Sequence, residues 1–280
     1  MQNFLQAISG IVTSSFPIIN PILVLLAGLL GSRLFGKISS LSKSILLRAL
    51  GLLVILMGAV EILNGFFVLQ TAQFETPGTL LVIVSLIVGF VFGYALSLDR
   101  SIGQAGVWLF RRFIKDKLSR AEIIARAKGE EPAKPRKVRE PSAEGFMLAT
   151  VLCAFSSTTV YSVLCCDSAE DPLPFLLRLG FHAAVFFLLA ALYGVNVPFA
   201  AISVLAVEVV LLAADALFGD FITSTLLNQL RLIGAVMLVF AGVSLGSGKR
   251  VRAPHLIPAY VIPVIYGLAV ILATKLMGAA

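Results

Sequence analysis

GLLVILMGAVEILNG, Gly51 to Gly65, places a carboxylate, Glu61, and an amide, Asn64, inside an apolar run that extends from Ile45 to Val68. A run of that length matches the roughly 20 residues a helix needs to cross the hydrocarbon of a bilayer. On a helix of about 3.6 residues per turn, Gly51, Gly58, Glu61 and Gly65 fall within about 80° of one another. The carboxylate therefore shares a stripe with small residues, and that stripe is expected to meet protein. Close approach at glycine lets a neighbouring helix cover Glu61, whose exposure to lipid costs about 2.5 kcal/mol or more. The alternative is a buried structural carboxylate bonded to Asn64 or to a serine.

Seven more apolar runs of similar length follow the same pattern: Phe16 to Phe35, Gly78 to Leu98, Gly145 to Cys166, Leu173 to Gly194, Asn196 to Leu217, Leu226 to Gly246 and Leu256 to Thr274. With 59% hydrophobic and 13% charged residues in 280, the chain carries too little charge to cover a soluble surface, where about 25% is usual. The expected fold class is an all-α, polytopic transmembrane bundle of about eight spans. Met1 to Ser15 lacks a basic segment and runs into the first span, so it reads as retained rather than cleaved. Three cysteines, Cys153, Cys165 and Cys166, are too few for a disulfide framework and read as packing residues.

Of the 22 Lys and Arg, 19 fall in three regions, Arg33 to Arg48, Asp99 to Ala143 and Lys249 to Arg252. These regions alternate with connections carrying Glu75, then Asp167, Glu170 and Asp171, then Asp220. Positive-inside logic makes the basic set cytoplasmic and puts both termini of this multi-pass chain outside. The linker Asp99 to Ala143 holds 12 basic and 6 acidic residues. Its first part spaces Val107, Phe110, Ile114 and Leu118 helically opposite Arg111, Arg112, Lys115 and Arg120, as in a helix lying on anionic lipid; a solvated cytoplasmic helix is the alternative.

Ile83 to Gly93 aligns with Ile257 to Gly267 at an offset of 174, Leu29 to Gly36 with Leu212 to Gly219 at 183, and the surroundings of Gly58 with those of Gly242 at 184. Spans one to three then match spans six to eight in opposite orientation, an inverted repeat of the kind that secondary transporters build around a midplane site. The expected organisation is a first three-helix repeat over 1–98, the basic linker over 99–143, two connecting spans over 144–194 and a second repeat over 195–280.

The other polar groups in the spans are candidates for the same site. Glu208 sits near the middle of span six, and Asp215, seven residues on, near its boundary. Arg178 and His182 lie one turn apart in span five; Arg231, one turn after Asn228, lies in span seven and can pair with a carboxylate or snorkel to the interface. Ser157 and Thr158, within Ser156 to Thr159, can line a polar path or bond back to the preceding turn. On one face, Thr150, Cys153 and Ser157 recur at helical spacing. Gly28 and Ser32, and Ser85, Gly89 and Gly93, make faces for tight helix crossing. Pro258 and Pro263 interrupt span eight.

No metal-ligand spacing or nucleophile motif appears, and GSGKR at Gly246 to Arg250 lacks the residues of a phosphate loop. The chain is therefore read as a non-enzyme without cofactor, metal or catalytic residue. Its expected partners are the bilayer, anionic headgroups at the linker and a small ion or solute; no nucleic acid is expected, and self-association into a homo-oligomer is left open.

The order of an Asn-containing first span, a basic turn, GLLVILMGAVEIL, LLVIVSLIVGFVFGYALSLD, a linker and AEGFMLATVLC resembles the YqgA-like family of uncharacterised bacterial inner-membrane proteins. The resemblance extends through GSGKRVRAPHLIPA. It departs in the middle, where the family pattern has a Gly-rich fourth span, an Asp-Gly pair in the fifth and a Gln-Gly pair in the sixth. Here these read Ser156 to Thr159, Leu179-Gly180 and Glu208-Val209, with Gly180 and Ser162 kept. The resemblance implies a membrane protein with transport among its suggested roles. The reading from the residues is a transporter or channel whose substrate-binding groups are Glu61, Asn64, Ser157, Thr158, Arg178, His182, Glu208 and Arg231. In it, Glu61 and Glu208 alternate between a cation or proton and pairing with Arg178, His182 or Arg231. The rival reading is a membrane scaffold or regulator acting through the basic linker.

Overall fold

Span four is not one helix. The computed structural model, which describes residues 16–71, 77–115, 142–164, 173–248 and 252–278, ends helix α5 (Ala143–Ala154) and restarts the chain as α6 (Ser157–Leu164). The cause is the hydroxyl run, which competes with the backbone for hydrogen bonds. Phe155 leaves the helical region at φ −108°, ψ 20°, and Ser156 Oγ accepts the Thr159 N–H at 3.3 Å, capping α6. The carbonyls freed at the break find partners, as they must within a bilayer. Thr159 Oγ1 donates to Cys153 O at 2.7 Å and Tyr260 Oη to Phe155 O at 2.8 Å. The expected common face of Thr150, Cys153 and Ser157 is thereby corrected, since Ser157 belongs to a different helix from the other two.

The remaining elements before the linker are α1 (Phe16–Ser32), α2 (Ser40–Thr71), α3 (Pro77–Ala95) and α4 (Leu98–Phe110), which runs into a π turn over Arg111–Lys115. After the break come α7 (Leu173–Tyr193), α8 (Ala200–Phe218), α9 (Ser224–Ser247), a 3-10 stretch over Ala253–Tyr260 and α10 (Val261–Gly278). Every regular element among the described residues is helical. Six segments are long and apolar enough to cross a membrane, α5 with α6 counted as one, and Ile19–Ser32 and Arg178–Tyr193 are shorter apolar helices. This is a helical, multi-pass membrane protein.

Span eight also changes character along its length. Pro254 and Pro258 lack the N–H an α-helix needs, and Ala253–Tyr260 winds as a 3-10 helix. Pro263, expected to interrupt the span, instead occupies the first turn of α10, where proline is tolerated. The Tyr260 hydroxyl thus joins the irregular part of span eight to the break in span four. Tyr260→Phe leaves the Phe155 carbonyl unpaired and is expected to lower stability by about 1–3 kcal/mol, read as a drop in the unfolding midpoint of detergent-solubilised protein.

Helix pairing follows the glycines. Helices α2 and α9 run antiparallel: a Cβ at Gly51 would lie 2.5 Å from Gly246 N and 2.7 Å from Gly242 O, and one at Gly58 would lie 2.9 Å from Ala235 O. A shift of 184 residues carries Gly58 to Gly242 and Gly51 to Ala235, so these two approaches are images of each other. Gly89 and Gly93 of α3 similarly meet the backbone at Ala259 and His255, and α1 packs on α7 and α8. Gly234 of α9 admits the break in span four, because a Cβ there would lie 2.5 Å from Ser157 N. The apolar core runs through α5, α7 and α9, with Phe146, Leu152, Phe186, Leu189 and Met237 fully buried; Cys153 packs in it, while Cys165 and Cys166 lie outside the described residues.

Helix α4 leaves the bundle at a sharp corner, where Ser97 takes the left-handed conformation at φ 50°, ψ 44°. It buries Gly103 and Gly106 against Ala143 and Phe146 of α5 and Phe110 edge-on to Phe199, and leaves Trp108, and Phe113 of the π turn, 62% and 47% exposed. Its packed face combines Gly103 and Gly106 with Phe110 of the expected apolar stripe and with the partly buried Ile102 and Leu109. Leu118, Arg120, the rest of the linker through Pro141, the segment Met1 to Ser15, and Glu75, Asp167, Glu170 and Asp171 lie outside the described residues.

Candidate functional site

Two ion pairs sit at similar depth in the bundle, one on each side of the short helix α6. In the first, Arg178 Nη2 of α7 donates to Glu208 Oε1 of α8 at 2.6 Å. Asn20 Nδ2 of α1 donates to the same oxygen at 2.5 Å, and Arg178 Nη1 donates to Ser162 Oγ of α6. The Arg178 and Glu208 side chains are 2% and 0% exposed. In the second, Arg231 Nε of α9 donates to Glu61 Oε2 of α2 at 2.5 Å, with side-chain exposures of 16% and 20%. The Arg231 guanidinium also lies over the Tyr161 ring, 4.7 Å from its centroid. Consecutive residues of α6, Tyr161 and Ser162, thus reach the two arginines.

The first pair is the stronger candidate site, because its polar groups exceed what its partners satisfy. Glu208 Oε2, Asn20 Oδ1 and both ring nitrogens of His182, one turn beyond Arg178, are buried without a hydrogen bond among the described residues. Buried polar atoms without partners are uncommon, and such groups concentrate where a protein binds or moves something. Removing a charge from water is costly even when it is paired, and here the pair is held among Asn20, Ser162 and the core. Ser157 Oγ is likewise buried without a partner, but on the other side of the break from Cys153.

The two carboxylates do not share one arginine or one contact set. Glu208 takes Arg178 and Glu61 takes Arg231. Asn64 is exposed on α2 and makes no hydrogen bond among the described residues, so it neither holds Glu61 nor joins either cluster. The amide in that role is Asn228, whose Nδ2 donates to Gly65 O at 3.1 Å and ties α9 to α2 one turn from Arg231. Thr158 is bound to its neighbours: its hydroxyl meets Ser156 Oγ at 2.8 Å and its carbonyl accepts from Ser162 Oγ at 2.6 Å. Asp215 is half-buried near the end of α8.

Asn20, Ser162 and Tyr161 complete the clusters; in the sequence Asn20 and Ser162 stand out only through the family resemblance, and Tyr161 not at all. Asn20 carried a signal, an amide one residue before Pro21 and four residues into α1, but at the edge of an apolar run an amide reads as interfacial. Ser162 lies three residues beyond the hydroxyl run and shows its role only once α6 is placed against α7.

Residues 16–268, which include both ion pairs, match the family described as protein of unknown function (DUF554). The chain belongs to the DUF554 family. The likeness to YqgA-like proteins is consistent with that membership. No curated protein and no solved structure matches the chain. Membership in DUF554 brings no activity with it, so any role rests on the two clusters themselves.

Proposed function

We propose that this DUF554 protein is a carrier or channel, and not an enzyme, that passes a small ion or solute across a bacterial inner membrane at the Arg178–Glu208 site. The observation that carries this reading is the fully buried Glu208 carboxylate, which offers one oxygen to Arg178 and Asn20 and keeps the other without a partner among the described residues, with the likewise unpartnered nitrogens of His182 one helical turn from Arg178. A cation or proton taken up by Glu208 weakens its hold on Arg178, and the released guanidinium then favours a second arrangement of α7 against α8. Two such arrangements are the minimum that alternating access requires.

An inverted repeat gives those arrangements a frame. In this reading α1, α2 and α3 correspond to α8, α9 and the last span, with both termini outside. Support comes from the contacts: α2 lies antiparallel on α9 through mirrored glycine approaches, α3 lies on residues 253–260, and α1 is bonded to α8 through Asn20 and Glu208. Each helix therefore meets the helix its sequence matches.

The test is flux in pyranine-loaded proteoliposomes under imposed proton, sodium, potassium or chloride gradients. Glu208→Gln keeps the size and hydrogen-bonding capacity of the side chain and is expected to reduce flux at least about tenfold while eluting as folded protein. The rival scaffold role predicts that wild type and Glu208→Gln show equal, background flux under every gradient, and that result would displace the proposal.

A further inference from the structure

A cavity of about 530 Å³ opens at the end of the bundle where α3 and α9 finish, between α4, the start of α5 and Arg252. Its size falls in the range of about 300–1,000 Å³ typical of small-ligand sites. Three guanidinium groups, those of the exposed residues Arg100, Arg111 and Arg252, line it. None of them forms an ion pair among the described residues; Arg252 instead lies over the Tyr94 ring at 5.2 Å. Two carboxylates, Asp99 and Glu144, line it as well. Asp99 Oδ1 lies 3.7 Å from His255 Nε2, beyond hydrogen-bond distance, and Glu144 occupies the first turn of α5, where a negative charge answers the helix dipole.

The formal balance of these five charged side chains is one positive charge, with the guanidinium groups free to fork onto phosphate oxygens. The wall between them is apolar, from Val107 and Met147, and Trp108 stands exposed at the rim. Tryptophan and arginine together at the end of membrane-spanning helices mark the headgroup level of a bilayer. A free phosphate would use the arginines and leave the apolar wall and the rim indole without a role; a lipid uses both.

We propose that this cavity is a binding site for one anionic phospholipid, its phosphate held by Arg100, Arg111 and Arg252 and the start of its acyl region laid along Val107, Met147 and Trp108. The inference is independent of whether the protein transports anything. It fixes α4 in the interface plane by a discrete ligand, beyond the diffuse attraction of a basic linker.

The experiment uses the full chain in detergent, with phosphatidylglycerol or phosphatidylcholine added at matched mole fraction. Native mass spectrometry counts retained lipid and thermal unfolding reads stabilisation. One phosphatidylglycerol per chain is expected to be retained about tenfold more tightly than phosphatidylcholine, with a raised unfolding midpoint. Arg100→Gln/Arg111→Gln/Arg252→Gln is expected to abolish that preference, and Gln104→Glu, which adds a carboxylate to the lining while keeping all three arginines, to weaken it. Arg33→Gln/Lys37→Gln/Arg112→Gln, exposed and outside the cavity, is expected to preserve it. Equal retention of the two lipids overturns the proposal, as does a preference that survives both cavity variants. Inorganic phosphate raising the midpoint as far as phosphatidylglycerol does at equal phosphate concentration overturns the assignment to lipid.

Discussion

Arg178→Met is expected to destabilise the protein by about 3–5 kcal/mol, because it strands the Glu208 carboxylate, 0% exposed, in the interior without its cation. The measurement is equilibrium unfolding in mixed micelles, or the abundance of folded protein in the membrane where unfolding is irreversible. Arg178→Met/Glu208→Met removes both charges and is expected to recover most of that loss, since apolar replacement of a buried pair is often close to neutral. The double variant also separates the two roles. If the pair only fastens helices, the double variant behaves as wild type in every assay. If the site binds solute, the double variant folds but stays inactive in the proteoliposome assay. A double variant as unstable as Arg178→Met refutes the assignment of the loss to an uncompensated charge.

The second large effect is expected where α2 and α9 touch. Alanine for glycine in a helix interior ordinarily stabilises by up to about 1 kcal/mol, and Gly180, whose added Cβ would meet nothing within 4 Å, is expected to follow that rule. At Gly51 the same methyl group meets backbone atoms of Gly242 and Gly246, which have no side-chain freedom with which to yield. Gly51→Ala is therefore expected to destabilise by about 1–3 kcal/mol, the usual range for overpacking, and to loosen the Glu61–Arg231 pair on the same helix face. Unfolding midpoints of Gly51→Ala and Gly180→Ala measured side by side check this; equal shifts would show that the helices separate at little cost.

Much of the fold is legible in the sequence because the bilayer imposes a length and an apolar composition on each span, and both can be read locally. The glycine stripe of α2 and its carboxylate are legible for the same reason, as one helix face can be drawn without knowing its partner. Partner choice is not local. Arg178 and Arg231 both lie a few residues into their helices, and only the packing of α7 on α8 and of α9 on α2 gives Glu208 the one and Glu61 the other. The break in span four is likewise set at a distance. A hydroxyl run supplies the competing hydrogen bonds, but the gap is held open by Gly234 and closed off by Tyr260, 77 and 103 residues beyond Ser157. Asn64 misleads because an amide in an apolar run looks buried until the helix is oriented.

If the inverted repeat proposed above holds, the mirrored glycine approaches of α2 and α9 bear on how such a chain arises. Contacts that map onto themselves under exchange of the two halves can be formed by two identical short polypeptides threaded through the membrane in opposite senses. A gene duplicated in tandem then inherits a working interface from its first generation, and divergence needs only to place a charge, such as Glu208, on one side of a seam that already holds.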